Sequence, residues 1–81
     1  MRITFKLFAM LADYLPPETR PGNEMTLDVP ADATIQQIIA PFNLPPTLVH
    51  LVLVNGKYIP PDARASTTLQ EGDALAIWPP I

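Results

Sequence analysis

Along Arg2 to Phe8 apolar and polar residues alternate, with Ile3, Phe5 and Leu7 on one side and Arg2, Thr4, Lys6 and Phe8 on the other. A period of two puts successive side chains on opposite sides of an extended backbone, so this stretch predicts a strand with one buried face. Met10, Leu11, Tyr14 and Leu15 then fall at helical spacing before Pro16 and Pro17, which predicts a short helix or helical turn. Glu24 to Val29 alternates again, with Met25, Leu27 and Val29 inward. The loop before it is long enough for the two strands to pair antiparallel.

The best helix signal is Ile35, Ile38, Ile39 and Phe42, at i, i+3, i+4 and i+7. Thr34 with Gln37 three residues on forms a capping box that sets the start. Pro41 disfavours the helical conformation at Ala40, so the regular helix ends or kinks there. His50 to Val54, an Asn55-Gly56 turn suited to positive φ, and Lys57 to Ile59 make a hairpin closed by Pro60 and Pro61. Leu51 to Val54 is apolar at both parities, which predicts one face on the helix and the other partly covered or at an interface. After a turn at Glu71-Gly72-Asp73, a final strand carries Leu75 and Ile77 on the core face and Ala74, Ala76 and Trp78 on the other. This order predicts an α+β fold, with one main helix on one face of a small mixed sheet and Ile35, Ile38 and Ile39 meeting Phe5, Leu27 and Ile77.

Composition narrows the function. The 81 residues make one domain, 48% hydrophobic and 16% charged, which implies a packed core and leaves no room for a large enclosed catalytic cavity. Without cysteine there are no disulfides, thiolate zinc sites or thiol nucleophiles, and a reducing compartment is allowed. No apolar run is long enough to span a membrane and the opening residues alternate as a strand, so a cytoplasmic location is expected. A net charge of −3 with five Lys and Arg offers no basic stripe for nucleic acid, and a basic protein partner suits it better. His50 has no Ser, Cys or second His near it in sequence, so a partly buried, hydrogen-bonded ring is expected rather than a base. Glu71 and Asp73 read as solvated turn residues. With no phosphate-binding glycine loop, zinc spacing or triad order, the chain is not expected to be an enzyme or to hold a metal or cofactor.

The element order, "VLVNG" at Val52 to Gly56, "LQEGDALAI" at Leu69 to Ile77 and "WPP" at Trp78 to Pro80 resemble the MoaD/ThiS family of ubiquitin-like sulfur carriers. "WPPI" is most like the small subunit of molybdopterin synthase. The resemblance covers essentially the whole chain and implies a β-grasp, ubiquitin-like fold. It also implies a protein cosubstrate for molybdenum cofactor biosynthesis: an E1-like adenylating enzyme, which itself binds ATP, would activate a C-terminal glycine, and the resulting thiocarboxylate would enter a larger synthase subunit. A ubiquitin-like binding module without carrier chemistry, or a carrier in thiamin or another sulfur pathway, are the alternative readings. The encoded tail would separate carrier from module.

Two candidate regions follow. Trp78 sits opposite Leu75 and Ile77 in parity, on the face where Phe8 also points. Either the two aromatics merely shield each other, or they form a partner-binding patch with Lys57 and Arg64 at its rim; the second is preferred because tryptophan is enriched among interface hot spots. The other region is the tail Pro79, Pro80 and Ile81, a stiff rod leaving the sheet. The resemblance implies a small residue and two glycines beyond Ile81. As written, the chain is therefore expected to dock without carrying sulfur. Because Pro79, Pro80 and Ile81 still fit the tail pattern, omission of the tail from this sequence is favoured over its loss.

Overall fold

The computed structural model describes residues 1–80. Strands β1 (Arg2–Leu7), β2 (Glu24–Asp28), β3 (Leu51–Val54), β4 (Lys57–Tyr58) and β5 (Ala74–Trp78) form one sheet in the order β2-β1-β5-β3-β4. The pairing is mixed, since β1 runs antiparallel to β2 but parallel to β5, while β3 is antiparallel to both β5 and β4. Helix α1 (Ile35–Ile39) contributes buried Ile35, Ile38 and Ile39 to the core that includes Ile3, Phe5, Leu7, Val52, Leu75 and Ile77. This is the α+β arrangement expected of the element order, and the β-grasp fold that the resemblance implies.

Local chemistry explains the boundaries. The Gln37 N–H donates to Thr34 Oγ1 at 3.2 Å and the Thr34 N–H donates to Gln37 Oε1 at 2.9 Å, so the capping box starts α1 as expected. After Ile39 the helix tightens into a 3-10 turn (Ala40–Phe42) containing Pro41, which swings Phe42 onto Phe5 with ring centroids 4.6 Å apart. Asn55 and Gly56 have φ of 51° and 83°, the pair of left-handed residues that a two-residue hairpin turn requires.

Two of the stretches that carry the resemblance meet physically at this turn. The Asn55 side-chain amide donates to Asp73 Oδ1 and its oxygen accepts from the Ala74 N–H, both at 2.9 Å. Asp73 Oδ2 also accepts from the Gln70 N–H at 2.8 Å. The "VNG" and "EGD" stretches thus clip β3 to β5 and serve the fold rather than chemistry.

The segment Ala9–Tyr14 is a 3-10 helix, and of its apolar residues only Leu11 is buried, with Leu15 just beyond it. Met10 and Tyr14 are exposed, although their spacing matches that of Leu11 and Leu15. Pro17–Gly22 forms a further 3-10 segment in the loop before β2.

Candidate functional site

The sheet has one face under α1 and one without a covering helix. Register identifies the second. Trp78 lies opposite Leu51, Ala76 between Lys6 and Leu53, and Tyr58 opposite Leu53. Paired residues share a face, so Trp78, Leu51, Leu53 and Tyr58 form an apolar half over β5, β3 and β4. The other half, over β1 and β2, is polar: Thr4 pairs with Thr26, Lys6 with Glu24 and Arg2 with Asp28. Arg2 Nε donates to Asp28 Oδ1 at 3.2 Å across two exposed side chains, a contact worth little in water.

At the apolar end Phe8 and Trp78 stack in parallel with centroids 4.0 Å apart. The backbone holds both: the Phe8 N–H donates to Ile77 O at 3.1 Å, and Trp78 O accepts from the His50 N–H at 3.2 Å. Both rings stay half-buried, so mutual shielding is partial and accessible aromatic surface is left. Ala9, immediately after Phe8, has φ of 53°, a left-handed conformation that strains any residue with a Cβ. That strained corner turns the chain off β1 just where the stack is built.

The tail begins beside this stack. Pro79 is buried, so the rod leaves the body of the protein at exposed Pro80, one residue later than the double proline suggests. Ile81 lies outside the described residues.

Two sequence expectations are corrected. Arg64 does not rim a contact: it is 6% exposed, and its guanidinium donates to the carbonyl oxygens of Ile59, Val49 and His50 at 3.0–3.2 Å. Such a donor fork satisfies three carbonyls at once, and this keeps a buried cation tolerable. His50 is exposed rather than partly buried, because it precedes β3 and is tied down by its backbone. Lys57 is exposed on β4, at the parity of the helix-covered side, since it pairs with Val54 opposite Leu75. It therefore points away from the Trp78 face. Tyr58, 49% exposed on that face, is a residue that the pattern did not single out.

Among the described residues no group of three or more His, Asp or Glu side chains is placed to hold a metal. No helix there is long and apolar enough to cross a membrane. What the arrangement offers is a half-buried aromatic and aliphatic surface beside Pro79 and Pro80.

A helix-backed five-stranded mixed sheet of this order defines a ubiquitin-like, β-grasp fold. Residues 1–81 match the Mut7-C ubiquitin family, and the chain belongs to that family. Solved structures agree on the fold. SAMP1 from Haloferax volcanii is 24% identical with a TM-score of 0.64, over 100% of this chain and 97% of that one. The HVO 2177 protein of Haloferax volcanii is 21% identical with a TM-score of 0.74, over 100% and 84%. A Pyrococcus furiosus protein assigned as molybdopterin converting factor, subunit 1, is 18% identical with a TM-score of 0.70, over 100% and 99%. A search of curated proteins finds no match. The resemblance to ubiquitin-like carriers thus stands at the level of fold.

Proposed function

We propose that this chain is a single-domain sulfur carrier of the molybdopterin synthase small-subunit kind, a cytoplasmic protein cosubstrate rather than an enzyme. Its larger partner would grip the Phe8 and Trp78 stack and receive the tail through Pro79, Pro80 and Ile81. A terminal glycine carboxylate would first be adenylated by an E1-like enzyme that binds ATP, with loss of pyrophosphate. Hydrosulfide would then attack the acyl carbon and displace AMP, with loss of a proton, to leave the thiocarboxylate.

The observation that carries this reading is continuity: Trp78, Pro79 and Pro80 are consecutive, so a partner holding the indole also holds the root of the tail. The carrier-type fold of the structural neighbours supports it. Extending the chain by Ala-Gly-Gly after Ile81 and incubating it with an E1-like enzyme, ATP and a sulfur donor is expected to give a thiocarboxylate mass shift. The 81-residue form is expected to bind through the Phe8 and Trp78 stack and to compete with the extended form, without the mass shift. An extended form that binds but is never adenylated, beside a carrier that is, would remove the proposal. The match to the Mut7-C ubiquitin family favours the second reading in that event, a ubiquitin-like module that only docks.

A further inference from the structure

Strand β2 is the other feature that lacks a role in the docking face. It lies at the sheet edge, paired only with β1. Reciprocal bonds between Met1 and Val29, and the Leu7 N–H bond to Asn23 O, fix which β2 residues turn their backbone groups toward β1. By the antiparallel alternation these are Asn23, Met25, Leu27 and Val29, so the N–H and C=O groups of Glu24, Thr26 and Asp28 point outward. Among the described residues no turn, loop or side-chain hydrogen bond engages those outward groups, and all three residues are exposed.

Alongside that edge, between β2 and α1, runs an open groove of about 700 Å³. Leu27, Ile38 and Phe42 supply apolar lining, and Asp28 and Asp32 are the ionisable residues of the lining among the described residues. Arg2 pairs with Asp28, whereas no ion pair among the described residues engages Asp32. An edge with free donors and acceptors is a template for another strand, and a groove beside it can take alternate side chains.

We propose that the β2 edge and the β2–α1 groove bind an extended peptide of another protein as a sixth strand, with alternate apolar side chains in the groove and a Lys or Arg at one end against Asp32. Charge selects this occupant. A second copy pairing antiparallel through β2, centred on Thr26, would set Glu24 against the other copy's Asp28 twice over, and like charges directly opposite oppose pairing. The acidic groove equally disfavours nucleic acid. The site is on a different part of the molecule from the Phe8 and Trp78 stack and does not rest on the carrier reading.

The test is a titration of the 81-residue chain with acetyl-Lys-Lys-Ser-Val-Thr-Val-Thr-Ile-amide, followed by NMR. Amide exchange at Glu24, Thr26 and Asp28 is expected to slow at least about tenfold on saturation, the sign of newly paired edge groups. Asp32→Lys should weaken binding by about threefold or more, with the difference shrinking as salt is added. Thr26→Pro removes one outward donor at an edge position where proline is tolerated, and should abolish binding while leaving the melting temperature near that of the parent. Replacing the two Lys by Glu, or N-methylating the residues that face β2, should also abolish it. The proposal is overturned if the Glu or N-methylated peptide binds equally well, if perturbations gather at Trp78 instead of β2, or if the chain without peptide dimerises through β2.

Discussion

The two faces of one sheet divide the work of this protein. On the helix side Phe5, Leu7, Leu75 and Ile77 are fully buried, and each removes about 1.5–3 kcal/mol worth of apolar surface from water. On the other side, β1, β5 and β3 carry Thr4, Lys6, Trp78, Leu51 and Leu53, all half-buried. Alternation lets neighbouring residues take opposite roles, so Ile77 is sealed in the core while Trp78 keeps part of its ring accessible. Ala9, left-handed beside the open-face stack, is exposed.

The sharpest way to break this division is to act on the buried side. Ile38→Ala should destabilise the domain by about 2–5 kcal/mol in a chemical melt, with affinity for a partner at the Phe8 and Trp78 stack unchanged wherever the variant is still folded. A loss under about 0.5 kcal/mol would put Ile38 among ordinary surface positions. Trp78→Ala should do the converse, weakening a partner by about 2 kcal/mol or more, while the lost stack removes about 0.5–1.5 kcal/mol of stability. Unchanged affinity in a titration, with a collapsed melting temperature, would make Trp78 a core residue. The smallest effect is expected at Ala9→Gly, where relief of the left-handed strain should raise stability by about 0.5–1 kcal/mol. If partner affinity falls in that variant, the strained corner holds Phe8 in place for docking.

Legibility in the sequence followed the range of the interactions. The capping box at Thr34, the Asn55-Gly56 turn and the parity of Trp78 each involve residues a few positions apart, and each could be read from the pattern. Arg64 could not, because its guanidinium meets carbonyls of Val49, His50 and Ile59, brought together only by the folded chain. A two-residue strand such as β4 is too short to show alternation, which is why Tyr58 did not stand out. Leu11 and Leu15 differ from Met10 and Tyr14 only in which side of a 3-10 turn faces the sheet, a choice made by tertiary packing. The buried position of Pro79 was hidden for a related reason: proline rules describe its backbone and not what packs on its ring.

The parallel pairing of β1 with β5 has a mechanical consequence. The two strands lie side by side and point the same way, so a pull on the start of β1 and the end of β5 slides one along the other. Their evenly spaced hydrogen bonds are then loaded together, in shear, instead of parting one at a time as in an unzipped hairpin. β3 grips the far side of β5 as well. Forced unfolding is governed by the height of the unfolding barrier, so a machine hauling on the end of β5 would meet its greatest resistance at the first step.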